Sequence, residues 1–221
     1  MNILVIDIGG NNVKLRLQGQ EEVRKSPSGL DLTPQKMVED VKRLTADWPF
    51  DRVSIGYPGA ISRGSILLEP VNLGRGWVDF DFAAAFGRPV RLINDAAMQA
   101  LGSYEGGRML FLGLGTGLGS TLILDHVIAA MELGHLPYKK GKTLEDYVGT
   151  RGLERLGKRK WQLAVADVVA RLMHALIADY VVLGGGNARL LTRLPQGCRM
   201  GDNNNAFLGG FRLWDEDVSH A

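Results

Sequence analysis

A strand, a glycine-rich turn and a second strand follow one another twice in this sequence, near residue 1 and near residue 110. Residues 3–8 are almost entirely apolar, as in a central strand buried on both faces, and apolar and charged residues alternate after DIGGNN. Residues 109–114 repeat the apolar run, GTGLG follows, and residues 121–124 predict another strand. The repetition predicts an α/β fold with a duplicated architecture, in which two similar sheet domains face a cleft.

Glycine is concentrated at a few places along the chain. The 29 glycines among 221 residues are about twice the usual share. They gather at Gly9-Gly10, Gly113 to Gly119, Gly184 to Gly186 and Gly209-Gly210. Clustered glycine beside apolar strands indicates tight turns or a close approach of the backbone to a ligand. Several such places in one chain predict a site assembled from several loops.

The remaining segments predict further helices and strands. Thr33-Pro34 is typical of an N-cap followed by a first-turn proline, and apolar residues recur at helical spacing up to Trp48. Further helices are predicted near residues 80–86, 95–104, 144–156, 161–178 and 206–214, and further strands at 52–57, 89–93 and 180–183. The expected domains are 1–95, joined by the C-terminal helical segment 206–221, and 96–205.

Composition and charge exclude several classes of protein. A net charge of +2 is too small to indicate nucleic-acid binding, and no apolar stretch is long enough to span a membrane. The first apolar run ends at Asp7 with no basic residue before it, which argues against a signal peptide. The single cysteine, Cys198, excludes an internal disulfide and a multi-cysteine zinc site. We therefore expect a cytoplasmic protein without nucleic-acid or membrane partners.

The first glycine turn has the composition of a phosphate-binding loop. Two adjacent glycines, Gly9 and Gly10, allow successive backbone N–H groups to point at one anion. Asp7 ends the first strand and places a carboxylate where a magnesium ion on that phosphate would need one, through water. A plain hairpin with a capping Asp explains the same residues without a ligand, so both interpretations stay open for this loop alone.

The second glycine turn, Gly115 to Gly119, repeats this geometry and adds the hydroxyl of Thr116. Such a turn is often only a tight hairpin. Two of them at matching positions of similar halves nevertheless predict that phosphates are bound. The run Gly184 to Gly186 follows a strand, which suits the ribose and adenine of a nucleotide, although triple glycine is also common where a helix begins.

Two familiar phosphate motifs are absent. Gly152 to Lys158 nearly matches a Walker A loop, but Arg159 stands where Ser or Thr must reach magnesium. In the Gly113 to Gly119 segment Leu118 occupies the place of the third glycine of GxGxxG. The sequence therefore predicts neither a P-loop nor a Rossmann dinucleotide site.

Two other segments contain candidates for acid–base chemistry and sugar binding. Asp95 stands between a strand and a helix, where the helix dipole favours the ionised carboxylate that a general base requires near neutral pH. An N-cap Asp would occupy the same place for folding reasons alone. Glu132 and His135 flank a glycine, which suits hydrogen bonds to neighbouring sugar hydroxyls, whereas a lone His is more often a surface or packing residue.

Six short motifs occur in the order seen in the ROK family of sugar kinases, which the chain resembles over nearly its whole length. They are DIGG with Lys14, GYPG at 56–59, NDA at 94–96, GTGLG at 115–119, ELGH at 132–135 and LGGG at 183–186. The sequence is most similar to the polyphosphate glucokinase branch. That branch likewise has Asn before Trp (Asn72 and Trp77), a GK…EDY segment (141–147) and no zinc.

The resemblance implies a ribonuclease H-like duplicated fold of the actin/hexokinase/Hsp70 (ASKHA) type. It also implies phosphorylation of the 6-hydroxyl of a hexose, with glucose as the first candidate, and a catalytic base, Asp95. The implied sugar-binding residues are Asn72, Asn94, Glu132, His135 and Glu145. The implied phosphate- and nucleotide-binding residues are Asp7, Gly9, Gly10, Asn11, Asn12, Lys14, Gly115, Thr116, Gly117, Gly184, Gly185 and Gly186. We further expect Mg²⁺ near Asp7, ATP or polyphosphate as the donor, no zinc, and a homodimer.

Several alternatives stay open. The family usually has Thr where this chain has Asn11, and the cysteine-rich zinc motif of many members is absent. A sugar-sensing regulatory protein of the family would have an N-terminal helix-turn-helix, whereas this sequence starts on its first strand. A kinase for mannose or an N-acetylhexosamine is a further alternative. Type III pantothenate kinases share a similar first loop but not ELGH and NDA, and an actin-like filament protein would normally be longer.

Basic residues gather in two places that bear on the phosphoryl donor. Lys139, Lys140 and Lys142 follow ELGH, and Lys158, Arg159 and Lys160 interrupt the predicted helical region. Each cluster alone is typical of a solvated helix flank. Together they predict a local positive surface that would bind a polyanion, with an affinity that falls as salt rises.

Overall fold

The structure, a computed structural model, describes residues 1–62, 64–202 and 204–220. They group into two compact units, each built on one main β-sheet. The first unit comprises Met1–Met98 and Ala206–Glu216, and the second comprises Gln99–Asn205 with the residues from Asp217 onward. The predicted α/β fold with two sheet-based halves is confirmed. The predicted domain boundaries at 95/96 and 205/206 stay a prediction.

The first unit contains a five-stranded sheet in the order β3-β2-β1-β4-β7. Its strands are β1 (Ile3–Ile8), β2 (Asn12–Leu17), β3 (Val23–Pro27), β4 (Arg52–Tyr57) and β7 (Val90–Asn94), and a separate hairpin is formed by β5 (Ile61–Ser62) and β6 (Ser65–Ile66). The strands β1 to β3 form an antiparallel meander, whereas β4 pairs parallel with both β1 and β7. Every residue of β1 is buried, as its continuous apolar run predicts.

The helices α1 (Pro34–Leu44) and α2 (Phe82–Phe86) belong to the first unit, and α3 (Asp95–Ser103) begins in it and extends past its boundary at Met98. The Thr33 side chain accepts a hydrogen bond from the Lys36 N–H, so the predicted cap of α1 is confirmed. Met37, Val38 and Val41 are buried against the sheet in the unit's hydrophobic core, as the helical spacing predicts. The core therefore lies between α1 and the sheet.

The second unit contains a six-stranded sheet in the order β12-β11-β8-β9-β10-β13. Its strands are β8 (Arg108–Leu114), β9 (Leu118–Leu124), β10 (Val127–Met131), β11 (Tyr180–Gly184), β12 (Cys198–Met200) and β13 (Ser219–His220). The meander β8 to β10 is antiparallel, and β11 pairs parallel with β8 and β12. Five of these strands therefore repeat the order and directions of the first sheet, and β13 is added at the edge.

The helices of the second unit differ from the sequence prediction in their bounds. A short helix α4 (Glu145–Val148) precedes α5 (Thr150–Ala175), whose helical backbone is interrupted at Gly157. Gly157 has φ 72° and ψ 156°, a conformation that favours glycine. The predicted break between residues 156 and 161 is thus confirmed. The helix predicted to begin at residue 144 is instead divided at Gly149.

The structure also differs from the prediction in segments whose strands pair through the backbone without a regular alternation of buried and exposed side chains. The last helix, α6 (Asn205–Arg212), ends soon after its last buried residues, and Ser219–His220 pairs with β10 of the second unit. The segment 206–221 is predicted to join the first half, whereas Ser219–His220 groups with the second unit; the domain assignment stays a prediction. The strands β3, β10 and β12 were also not predicted, because few of their residues are buried and no alternation is visible.

Within the described part of the chain, none of the helices combines the length and the apolar character that crossing a bilayer requires.

Candidate functional site

Asp7 lies near the end of β1 and is only 7% exposed. Its neighbours across the sheet are Lys14 on β2 and Gly56 on β4. The Lys14 Nζ atom is 3.4 Å from Asp7 Oδ2. Burial raises the pKa of Asp7 above its ordinary value, and Lys14 opposes that rise. Lys14, predicted as a phosphate-binding residue, therefore contacts the Asp7 carboxylate in this structure.

Asp95 is the first residue of α3, directly after β7. Its Oδ1 atom accepts a hydrogen bond from the Ala96 N–H at 2.8 Å. Burial raises the pKa of Asp95 to about 7; the Ala96 N–H lowers it, and the nearby Asp7 carboxylate adds to the rise. We expected the helix dipole to favour the ionised form, but the loss of water around the carboxylate outweighs it. Asp95 is therefore poised to gain or lose a proton near neutral pH.

Asn94, not Asp95, caps the helix α3. Its Oδ1 atom accepts hydrogen bonds from the N–H groups of Ala96, at 3.0 Å, and Ala97, at 3.1 Å. Its Nδ2 atom donates to the Gly59 carbonyl at 3.0 Å. Because Asn94 caps the helix, an N-cap role no longer explains why an Asp stands at position 95. Asn94 also ties the GYPG segment to the start of α3.

The first glycine loop joins β1 to β2. The Gly9 N–H donates to the Asn12 carbonyl at 3.0 Å, and the Asn11 carbonyl accepts from the Ser28 N–H at 3.0 Å. No atom lies within 4 Å of the position that a Cβ on Gly10 would occupy. Gly10, Asn11 and Asn12 are exposed. The backbone at the tip of the loop is thus open to an anion, which leaves the phosphate-binding prediction possible on geometric grounds.

The second glycine loop joins β8 to β9 in the second unit and is held by two other segments. The Gly115 carbonyl accepts hydrogen bonds from the Thr150 N–H, at 2.9 Å, and from Asn187 Nδ2, at 3.1 Å. Asn187 Nδ2 also donates to Thr150 Oγ1 at 3.1 Å. The structure therefore brings together Gly115 to Gly117, the start of α5 and the end of the triple-glycine segment.

The triple-glycine segment at Gly184 to Gly186 leads into a single turn of 3₁₀ helix, Ala188–Leu190, and not into an α-helix. Gly185 has φ +82°, and a Cβ there would lie 2.5 Å from the Leu114 carbonyl oxygen. Only glycine fits this close approach. Gly186, in contrast, has open space where a Cβ would be.

Glu145 lies between two glycines of the second unit. A Cβ on Gly117 would be 2.6 Å from Glu145 Oε2, and one on Gly134 would be 3.2 Å from the same atom. His135 Nε2 is 4.0 Å from Glu132 Oε2, and both side chains are largely exposed. The predicted sugar-binding residues of this unit therefore lie on segments that meet at the second glycine loop.

Asn72 lies in a long loop of the first unit, between the hairpin β5–β6 and α2, and is exposed. The Tyr57 hydroxyl donates to the Leu68 carbonyl at 3.0 Å, which fixes the start of this loop to the end of β4. Tyr57 is in turn the cross-strand neighbour of Asn94. The loop with Asn72 is thus attached beside the residues that precede Asp95.

Sequence reasoning missed several residues that organise these sites. Thr150, Asn187, Tyr57 and Glu69 all make the hydrogen bonds that hold the candidate loops. Tyr57 and Asn187 belong to the GYPG and LGGGN segments, so position within a motif was the available signal. Thr150 and Glu69 had none, because their partners are backbone groups far along the chain or in a loop.

Metal ligands are sparse in both units. Among residues 1–62, 64–202 and 204–220, no three His, Cys, Asp or Glu side chains gather in a way that could hold a metal ion by themselves. A buried carboxylate such as Asp7 can still contact a hydrated Mg²⁺, since this ion retains several waters and takes few protein ligands. The zinc-free prediction stays a prediction.

Comparison with known proteins places this fold in a family. No curated protein sequence matches the chain significantly. Among solved structures, the inorganic polyphosphate/ATP-glucomannokinase from Arthrobacter sp. strain KM superposes with a TM-score of 0.77 and 25% identity, covering 95% of this chain and 96% of that chain. A ROK family glucokinase from Streptomyces griseus, in complex with glucose and AMPPNP, has a TM-score of 0.74 at 16% identity, covering 96% and 99%.

A ROK hexokinase from Thermus thermophilus has a TM-score of 0.67 at 21% identity, covering 95% of this chain and 96% of that chain. The sequence model of the ROK family matches residues 3–154. The fold is thus the predicted ASKHA type. These findings establish that the chain belongs to the ROK family and has the fold of ROK sugar kinases.

Proposed function

We propose that this protein phosphorylates the 6-hydroxyl of a hexose, with glucose as the first candidate, using polyphosphate, ATP or both. The observation on which the proposal rests is Asp95, which follows β7, is freed from capping by Asn94 and has a pKa of about 7. A carboxylate with this pKa can accept a hydroxyl proton near neutral pH without being permanently protonated or held in an ion pair.

In this mechanism Asp95 orients the sugar hydroxyl and takes its proton as the oxygen attacks phosphorus. The bond from that phosphorus to the bridging oxygen of the donor breaks, and ADP or the shortened polyphosphate leaves. Asn94 keeps Asp95 at the start of α3 through its two backbone contacts. Asn72, Glu132, His135 and Glu145 are the candidates for holding the other sugar hydroxyls. Holding both reactants in place contributes roughly 7–11 kcal/mol in favourable cases.

The two glycine loops would bind the donor. The exposed backbone of Gly10 and the turn at Thr116 and Gly117 offer N–H groups and a hydroxyl to phosphate oxygens. Asp7 would hold Mg²⁺ through water, and the metal would offset charge on the transferred phosphoryl group. Lys14, 3.4 Å from Asp7, keeps that carboxylate in place and moderates its charge.

The choice of donor depends on the two basic clusters, and their residues differ in availability. Lys139 Nζ contacts Asp167 Oδ2 at 3.0 Å and the Tyr138 hydroxyl at 2.8 Å, so its charge is largely compensated. Lys158, Arg159 and Lys160 are exposed around the interruption of α5. Polyphosphate is therefore proposed to bind the second cluster, and the exposed Lys140 and Lys142 of the first, more than Lys139. The name of the Arthrobacter enzyme supports polyphosphate as a donor worth testing.

A coupled assay that crosses a panel of hexoses with ATP and polyphosphate tests this function. We expect glucose 6-phosphate to form, and the KM for polyphosphate to rise steeply with salt while the KM for ATP rises only mildly. The double variant Lys158→Ala/Lys160→Ala should raise the KM for polyphosphate and leave that for ATP unchanged. Its matched control is Lys36→Ala/Lys42→Ala, on exposed positions of α1.

Three outcomes would change the proposal. Turnover with ATP but not with polyphosphate would show that the basic clusters do not bind the donor. Phosphorylation of mannose or an N-acetylhexosamine in preference to glucose would change the substrate. Sugar binding without turnover under any donor would favour the regulatory alternative.

A further inference from the structure

The Glu69 carboxylate binds a set of backbone N–H groups at the far end of its own loop. Its Oε1 and Oε2 atoms accept from the Gly76 N–H at 3.1 and 3.0 Å. Oε2 also accepts from the Trp77 N–H at 3.2 Å, and Oε1 from the Val78 N–H at 3.3 Å. One side chain thereby closes residues 69–78, which we name the Glu69 loop, into a compact loop whose ends meet.

The three N–H groups form an anion-binding nest that an internal carboxylate fills. Burial alone would raise the pKa of the Glu69 carboxyl, but the N–H groups of Trp77, Val78 and Gly76, together with the charge of Arg75, hold it below its ordinary value. The ionised form is thus the one that closes the loop. Gly76 has φ +94°, a conformation that favours glycine and directs its N–H into the nest.

Further contacts anchor the loop at Trp77 and at Gly74, whereas Val71, Asn72 and Arg75 are exposed. Trp77 is fully buried and packs against Tyr57 and Phe82, with ring centroids 5.6 and 6.2 Å apart. The Gly74 N–H donates to the Leu32 carbonyl at 3.0 Å, and a Cβ on Gly74 would lie 2.9 Å from that oxygen. Asn72 is exposed between Glu69 and Gly74, both of which are held by hydrogen bonds.

The Glu69 loop begins beside the candidate catalytic residues. The Tyr57 hydroxyl binds the carbonyl of Leu68, the residue directly before Glu69. Tyr57 and Asn94 are neighbours across β4 and β7, and Asn94 caps the helix that begins with Asp95. The position of Asn72 relative to Asp95 therefore depends on a chain of contacts that ends at the Glu69 carboxylate.

We infer that Glu69 is a positioning residue for sugar binding, whose carboxylate holds Asn72 in place by closing the Glu69 loop. The inference rests on the proposed function, since it assigns Asn72 to the sugar. Glu69 need not touch substrate itself. Loss of its charge and of one acceptor oxygen would weaken the hydrogen bonds to the nest and leave part of its N–H groups without an acceptor, so the loop would open more readily while both sheets stay folded.

The test compares Glu69→Gln with the control Glu39→Gln, an exposed position on α1. Glu69→Gln has nearly the same shape but lacks the charge and one acceptor oxygen. We expect the KM for the sugar to rise about tenfold or more, with kcat and the KM for the donor changed by less than about threefold. The control should match the wild type in all three constants.

A second measurement does not depend on activity. Arg75 is exposed within the Glu69 loop, so trypsin can report opening by cleaving the Arg75–Gly76 bond, with the product identified by mass spectrometry. We expect faster cleavage there in Glu69→Gln at an unchanged thermal midpoint. In the wild type, saturating glucose should slow the same cleavage, and this arm holds even if the variant fails to fold.

The outcomes separate the inference from the proposed function. Unchanged cleavage at Arg75 in a folded Glu69→Gln variant, or faster cleavage with an unchanged sugar KM, would overturn the positioning role while the kinase activity stands. If glucose does not slow the wild-type cleavage although it is phosphorylated, the loop does not contact sugar and the inference fails. A wild-type protein that neither binds nor phosphorylates any hexose would overturn the proposed function itself.

Discussion

The two units share the order and directions of five strands but differ in the residues at equivalent positions of these strands. The pairs Ile8–Val13 and Leu114–Leu118 close the two glycine hairpins, so Asp7 in the first unit corresponds to Gly113 in the second. Gly56 and Gly184 are their respective neighbours on the next strand. The duplicated backbone is thus preserved, whereas the buried charge is present in only one copy.

This difference suggests a division of work. The first unit desolvates two carboxylates, Asp7 and Asp95, and burial raises the pKa of both. The second unit instead presents a glycine turn held by Thr150 and Asn187, with Glu145 packed against it. Under the proposed function the first unit would provide proton transfer, and the second would mainly bind. Variants in each unit can test this division.

The largest expected effect is on turnover, from Asp95→Asn. The amide keeps the size and the hydrogen bond to the Ala96 N–H but cannot accept the proton, so we expect kcat to fall about 100- to 10,000-fold with sugar binding retained. The wild-type kcat/KM should fall about tenfold per pH unit below pH 7, because protonation of Asp95 removes the base. Steady-state kinetics over pH, with sugar binding measured by calorimetry, checks both.

Asp81→Asn is the matched control, since Asp81 also begins a helix of the first unit and its Oδ1 accepts from the Ala84 N–H at 2.9 Å. It should retain wild-type turnover. Near-wild-type turnover in Asp95→Asn would show that this residue is not the catalytic base. The proposed division of work between the two units would then fail as well.

A smaller effect is expected from Gly117→Ala in the second unit. The new Cβ would lie 2.6 Å from Glu145 Oε2 and displace that carboxylate, so the KM for the sugar should rise about tenfold, with kcat changed less. Gly10→Ala in the first loop meets no atom within 4 Å; it should leave the sugar KM unchanged and alter only the KM for the donor. Equal effects of both variants on the sugar KM would contradict the proposed difference between the loops.

The smallest effect concerns stability. The folded pKa of Asp95, about 7, exceeds the ordinary value of 3.8 for this carboxyl, so the folded state binds this proton more tightly than the unfolded state. The wild type therefore loses stability as pH rises from about 4 to 7, whereas Asp95→Asn does not. Because Asp95 is partly exposed, solvent screening reduces the difference below the full value of the pKa shift. We expect the variant to be more stable by about 1–3 kcal/mol at pH 8 and equal to the wild type below pH 4.

Urea unfolding at several pH values measures this difference. A stability difference that is the same at pH 4 and pH 8 would show that the substitution acts through packing and not through the desolvated charge. Such a result would weaken the case that burial in the first unit tunes Asp95.

Local patterns in the sequence were enough to predict the central elements of the fold. The continuous apolar run of β1 predicted a strand buried on both faces, and Thr33-Pro34 predicted the start of α1. The gap between the predicted helices 144–156 and 161–178 coincides with the interruption of α5 at Gly157. These predictions succeed because side-chain periodicity, capping and turn chemistry act between residues only a few positions apart.

By itself the sequence thus determined the repeated strand–turn–strand units, the family resemblance and the place of Asp95 between a strand and a helix. Only the tertiary structure decided that burial brings the pKa of Asp95 to about 7 and that Glu69 closes its own loop. It also decided that Ser219–His220 pairs with β10. Desolvation sums over groups from distant segments, and backbone N–H groups are the same in every residue except proline, so neither leaves a pattern in the sequence.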